Sequence, residues 1–397
     1  MNSKLKFKVN KGHMIELLTH NVDISKYGGF MIDGLVRLEI KDESLTASSG
    51  NMYMSGISKM SVKDTSLEIE EKGSVIITGT TLLNIISSFD DGIINFECKH
   101  DDELSYIMVN QGKKKYKINS FSDDNLPNFG NNDYDFDLYN EIDGHLITNI
   151  LSKTSKLIDR KTMNFIVLRI DENSCFGVGA SMSNAVFCEY RNDFDAKLGE
   201  ERSLYIHGET IKFIEKLANR TDLSVYDKDD KLHLFWEKAG TFHTFIIKIN
   251  IDSRMDFYDL LKQLKFNGSF FCNKAELENA LKMIMIMQDK VGFVYLSLNE
   301  KDMTVRLKST KGTAVTSIDI EYEIGDEVKE DIETKEDIKV EFECIKLQYE
   351  CINLLTGIGL IEGDVLQIFY KDTKSPILIK SPDSDSDRVV LSAVKEV

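Results

Sequence analysis

An α+β fold of three tandem domains is predicted by three features of this sequence. A hairpin pattern occurs three times, a strand-to-helix pattern occurs six times, and the 397 residues exceed what a single hydrophobic core supports. The hairpin stretches are GLVRLEIKDESLTAS, FIVLRIDENSCFGVG and FVYLSLNEKDMTVRL. In each, alternating apolar residues enter a short acidic or Asn-containing turn and alternate back out, as a two-stranded antiparallel ribbon requires. Their turns open at Lys41, Asp171 and Asn299, 130 and 128 residues apart. Domain boundaries follow near LPNFGNNDYD and LKQLKFNGS, giving domains 1–131, 132–265 and 266–397.

Each domain divides again. An apolar strand running into a cap and a helix-period stretch appears in FKVNKGHMIELL, SVIITGTTLLNIISSF, DLYNEIDGHLITNIL, SLYIHGETIKFIEKL, SFFCNKAELENALKMI and KVEFECIKLQYECINLL. Gly12, Gly79, Gly144, Gly208 and Asn273 stand where a helix N-cap belongs, and Glu343 takes that place in the sixth copy, at spacings of 67, 65, 64, 65 and 70 residues. Every unit thus reads as strand, helix, then three strands. Each helix has one apolar stripe: Ile147, Ile150, Leu151 and Ile158 in the third; Ile211, Ile214, Leu217 and Ala218 in the fourth; Leu347, Cys351, Leu354 and Leu355 in the sixth. One amphipathic helix over a small sheet leaves apolar surface uncovered, so units pair, two helices packing between antiparallel sheets.

Composition narrows the function. With 66 acidic against 49 basic residues the net charge is −17, which repels polyanions over most of the surface and makes any nucleic-acid contact local. The six cysteines have no CxxC spacing, and free thiols in a reducing compartment are expected. MNSKLKFKVNKGHMIELL has no uninterrupted apolar stretch of signal length, and no run reaches the roughly 18 apolar residues of a membrane span, so a soluble cytoplasmic protein is expected. Enzyme signatures are missing as well. GVGASM lacks the third glycine of a dinucleotide fingerprint, GIGLIEG follows a helix pattern where that fingerprint needs a strand, and the seven histidines have no metal spacing. The residues point to no catalysis, no metal and no cofactor.

Positive charge is unevenly placed. Lys212, Lys216 and Arg220 stand at i, i+4 and i+8 of the fourth helix, and Lys153, Lys156 and Arg160 at i, i+3 and i+7 of the third, both away from the apolar stripes. The six helical stretches together sum to +4, leaving −21 elsewhere. Exposed lysines of this kind are ordinary solvation, or they are a helical face that meets a polyanion through its phosphates without reading bases.

These residues resemble the bacterial-type beta sliding clamp (DNA polymerase III beta subunit family) in a diverged form, with host or phage origin left open. The resemblance spans the chain. It is strongest from SVIITG to NLPNF in the first domain, in IDSRMDFYDLL near the end of the second, and in DTKSPILIK and RVVLSAV near the end of the third. It implies a non-catalytic processivity factor: half of a closed ring, completed head-to-tail by a second copy, encircling duplex DNA regardless of sequence, loaded by a clamp loader ATPase and tethering DNA polymerase. By position it places the DNA-facing cations at the six basic residues above. It places the dimer joint at Tyr116, Ile118, Ile284 and Met285, with intradomain core as the other reading of MIMIM. It places a pocket for partner peptides at Ile150, Ala185, Leu260, Pro376, Leu391, Ser392 and Ala393. Three segments depart from the family pattern there: MSNA (182–185), Asp256 in the loop, and LSA (391–393). A shallower or reshaped pocket is expected. A non-ring docking scaffold and an enzyme using the Asp-Asp turns are the other readings.

Overall fold

The computed structural model describes residues 5–25, 34–51, 53–101, 104–121, 140–157, 165–170, 174–180, 184–191, 202–217, 223–228, 231–248, 263–287, 293–299, 304–309, 314–324, 346–372 and 375–391. They form two compact units: Met1–Asn149, Asp195–Gly199 and Glu209–Ile251 in the first; Ile150–Phe194, Glu200–Gly208 and Asp252–Val397 in the second.

The first unit holds two antiparallel sheets. Five strands run in the order β5 (Glu68–Glu71), β1 (Lys6–Asn10), β7 (Ile93–Asp101), β8 (Leu104–Gln111), β9 (Lys114–Asn119). Eight run β10 (Asn140–Asp143), β15 (Ser224–Lys228), β16 (Lys231–Lys238), β17 (Thr241–Lys248), β4 (Met54–Ser61), β3 (Ser44–Gly50), β2 (Leu35–Lys41), β6 (Gly73–Thr78). Helices α1 (Lys11–Ser25) and α2 (Gly79–Ser87) share one core with both sheets: Leu17, Leu18, Leu82 and Ile86 lie with Phe7, Phe96 and Leu38, and Phe7 stacks on Phe96 at 4.5 Å. Strand alternation makes this possible, because β1 buries every second residue.

The second unit carries twelve strands in the order β14 (Arg202–His207), β11 (Phe165–Ile170), β12 (Ser174–Ala180), β13 (Asn184–Arg191), β25 (Ser384–Leu391), β24 (Ile377–Ser381), β23 (Val365–Tyr370), β18 (Gly268–Asn273), β21 (Val315–Ile324), β20 (Thr304–Ser309), β19 (Phe293–Asn299), β22 (Lys346–Glu350). Its helices include α5 (Lys274–Ile286) and α6 (Cys351–Leu360), packed on each other over a core of Leu277, Leu281, Ile284, Leu354 and Ile358. The remaining helices are α3 (Gly144–Thr154) and α4 (Gly208–Glu215), each with residues in both units.

All three expected hairpins form, as β2–β3, β11–β12 and β19–β20. Asn273 caps α5, accepting from Glu276 N at 3.1 Å. The sixth helix corrects the sequence reading. It begins at Cys351 after Glu350, not after Glu343, because Lys346–Glu350 pairs with β19 as β22. Leu347 therefore faces Leu296 across a ladder and belongs to no helical stripe. The five described cysteines are free, and among the described residues no helix is long and apolar enough to cross a membrane.

Candidate nucleic-acid face, peptide surface and open edges

The helical cations separate by environment. Lys153 is 16% exposed, and its Nζ lies 2.7 Å from Asp387 Oδ2 and 2.9 Å from Glu362 Oε1. Burial opposes its charge, yet hydrogen bonds to Asp387 and Glu362 prevail and hold the ammonium above the ordinary lysine range. Cys188 donates from Sγ to the other Asp387 oxygen at 3.0 Å, so α3, β13 and β25 meet at one buried polar cluster. This differs from the solvent-facing line expected for Lys153. Lys216 is exposed and pairs with Asp23 of α1 at 2.6 Å. Lys156 is exposed on the turn Ser155–Leu157 that follows α3. Lys212 lies in α4; Arg160 and Arg220 lie outside the described residues. Helices α2 and α6 contain no charged residue, and their exposed positions include Thr81, Asn84, Ile352 and Gly359.

Of the pocket positions, Ala185 is half-buried on β13, opposite Val390 of β25, in a small apolar cluster with Phe176, Phe187 and Val390. Phe165, Tyr205, Leu264 and Leu378 flank that cluster half-buried, and the sequence reading did not name them. For Phe165, Tyr205 and Leu378 the signal is strand alternation, which turns them away from the core-facing neighbours on their strands; Leu264 lies in no strand and has no such signal. Pro376 is half-buried just before β24, whereas Ile150 and Leu391 are fully enclosed. Leu260, Ser392 and Ala393 lie outside the described residues.

Of the joint positions, Tyr116 is 38% exposed on β9, edge-on to Phe89 at 5.5 Å, while Ile118 is buried in the core of the first unit. Ile284 is core, as the second reading of MIMIM has it, and Met285 packs against that core. The solvent face of α5 is instead Met283, Ile286 and Met287, which are 61%, 75% and 56% exposed. Their i, i+3, i+4 spacing, out of phase with Leu277, Leu281 and Ile284, is the signal that identifies them.

Strand edges complete the geometry. β4, β13 and β21 each end the first strand-helix-three-strand unit of a predicted domain; β9, β17 and β25 each end the second. β4 accepts β17 along its outer edge, from Thr241 opposite Met60 to Ile247 opposite Met54. β13 accepts β25, from Asn184 opposite Leu391 to Cys188 opposite Asp387. β21 over Val315–Asp319 pairs with β20 alone, and β9 pairs with β8 alone, among the described residues. Two like edges are joined within the chain, and one of each kind is left open.

The β4–β17 seam is lined by a buried hydrogen-bonded chain that sequence reasoning missed. Ser49 Oγ donates to Asn21, Asn21 Nδ2 donates to Ser58 Oγ at 2.7 Å, and Ser58 Oγ lies 2.9 Å from His243 Nδ1. The serine hydroxyl is then left to donate to Nδ1, which puts the ring proton on Nε2, 3.3 Å from Glu16 Oε1; Lys238 meets the other Glu16 oxygen at 2.6 Å. Ser, His and Glu in this order have the connectivity of an activated nucleophile, but Ser58 and His243 are closed off from solvent, leaving no room for a substrate.

No protein-family model matches this sequence, and no curated protein matches it. Solved structures do match. The chain is similar to the DNA polymerase sliding clamp from Bacillus subtilis (TM-score 0.80, 13% identity, 100% of both chains). It is also similar to the DNA polymerase III subunit beta from Pseudomonas aeruginosa (0.79, 12%, 98% of this chain and 100% of that one). A third match is the Helicobacter pylori beta clamp bound to a DNA ligase peptide (0.74, 18%, 98% and 100%). Over essentially its whole length, this chain has the fold of a bacterial beta sliding clamp, at strongly diverged sequence.

Proposed function

We propose that this protein is a DNA polymerase processivity factor: two copies close head-to-tail into a ring of six domains around duplex DNA, with the domains at 1–131, 132–265 and 266–397. The observation that carries the reading is the full-length likeness to sliding clamps. The open edges support the closure. Two β4-type edges receive a β9-type strand inside the chain, and the third of each kind is left over, which is what a head-to-tail pair of copies would join. Pairing them would hide two strand edges that otherwise invite aggregation.

The chain makes and breaks no bond in this role. Retention is topological, and the electrostatics suit it: two helices carry no charge, and Lys153 and Lys216 are already matched by carboxylates, so the DNA is held loosely and slides. Lys156, Lys212, Lys216, Arg160 and Arg220 are the cations assigned to phosphate contact. The half-buried cluster around Ala185, Phe165, Tyr205, Leu264 and Leu378 is the surface assigned to partner peptides, including the polymerase's; it supports an apolar anchor, with Arg388 opposite Phe187 and paired with Glu189 beside it. A clamp loader ATPase is needed to open the joint. The test is retention on nicked circular DNA: the protein co-elutes with the intact circle and is released when the circle is linearised. Equal retention on both forms would remove the ring.

A further inference from the structure

Two kinds of ion pair hold the helical lysines. Lys153 and Asp387 are both shielded, with side chains 16% and 6% exposed, so that pair is closed to an incoming anion. The pairs of the first unit are built differently. Glu16 and Asp23 stand seven residues apart on one line of α1, and each takes a lysine from far along the chain: Lys238 of β16 lies 2.6 Å from Glu16, and Lys216, immediately after α4, lies 2.6 Å from Asp23. In both, the carboxylate is shielded and the lysine is open, at 12% against 55% and 16% against 45%. His20 falls between the two carboxylates on that line and meets the Phe213 ring of α4 edge-on at 6.2 Å, which sets α1 against α4 and keeps Asp23 within reach of Lys216.

Lys216 is one of the cations assigned above to phosphate contact, and a lysine that is already paired is a poor phosphate ligand. Its ammonium rests on Asp23, and a phosphate can use it only by displacing that carboxylate, so the strength of the existing pair is subtracted from the new contact. A dissolved counterion would diffuse away at that moment. Asp23 cannot, because it is part of α1. We infer that Asp23 is an internal competitor for DNA phosphate: it keeps Lys216 at the surface but lends it to the duplex only weakly, and so limits how tightly the protein grips the DNA on which it slides. The inference rests on the processivity reading above and adds the residue that sets the grip.

A double-variant cycle tests it, read as binding of a short duplex by fluorescence anisotropy across a range of salt. Asp23→Asn is expected to bind about 5-fold more tightly than wild type, the upper range for an exposed ion pair. Its plot of log K against log salt is expected to steepen by about 0.9, the mark of one added phosphate contact. Lys216→Gln is expected to change wild-type binding by less than about 2-fold, yet to remove the whole gain when combined with Asp23→Asn. Asp23→Ser should reproduce the gain through a different side chain, which guards against a fold defect particular to the asparagine. An unchanged affinity and salt slope in both Asp23 variants would overturn the inference. So would a gain that persists in Asp23→Asn/Lys216→Gln, because Asp23 would then act as a distant negative charge and not as the partner of Lys216. Equal retention of the wild type on nicked and linearised circles would remove the ring, while the cycle on the short duplex still decides the role of Asp23, so the two failures are told apart.

Discussion

Lys153 shows how far a residue's neighbours can change its role. On a helical wheel it is one more solvated lysine; in the fold it is the counterion of Asp387, a carboxylate that is 5% exposed. Removing one member of a buried pair leaves the other charged and undersolvated. Lys153→Met is therefore expected to destabilise the protein by about 3 kcal/mol in urea unfolding, while Lys156→Met, on the exposed turn, changes stability by less than about 0.5 kcal/mol. Glu16 provides a pH signature. Burial works to raise its pKa, but the contacts from His243 and Lys238 outweigh burial and lower it to about 2. A depressed carboxylate stabilises the fold above its unfolded pKa of about 4.3 and loses that contribution as the pH falls toward 2. The wild-type stability curve should thus fall between about pH 4.5 and 2 by up to roughly 3 kcal/mol more than that of Glu16→Gln. Parallel acid limbs for the two proteins would show that Glu16 is not held as described.

At the scale of elements, close packing of helix on sheet decides which residues are allowed. A Cβ on Gly177 of β12 would stand 2.1 Å from Ile150 Cγ2 of α3, and 3.3 Å from Thr154 Cγ2. Gly177→Ala is expected to lower stability by about 2 kcal/mol through overpacking, and Ile150→Ala in the same chain to relieve part of that loss. Additive losses in the double variant would contradict the contact. The hairpins, and five of the six helix starts to within two residues, were legible in the sequence because they depend on alternation, capping and period, which act locally, although Gly12, Gly79, Gly144 and Gly208 lie in the first turn and of the expected caps only Asn273 is one. What was not legible depends on partners far along the chain. Lys153 meets residues 209 and 234 positions away, so no local pattern could remove it from the basic line. The sixth helix was misplaced because Leu347, four residues before Cys351, fits the helical stripe, although Leu347 and Tyr349 also fit the alternation of a strand, and the ladder with β19 decided between them. In MIMIM the composition was conspicuous, yet only the phase set by Leu277 and Leu281 shows Met283, Ile286 and Met287 to be the outward side.

At the scale of the whole molecule, the seam between β13 and β25 has a consequence for how the protein is made. Cys188 and Asp387 are neighbours across the ladder although 199 residues separate them in sequence. On the ribosome, β11 to β14 emerge early with an uncovered β13 edge, and they must wait for β25 to be synthesised before that edge is closed. Contacts of such long range make for slow, late-completing folding and prolong the interval in which the nascent chain can pair wrongly with a sister chain. Biogenesis, more than the finished fold, is therefore the stage at which this protein is most vulnerable to aggregation.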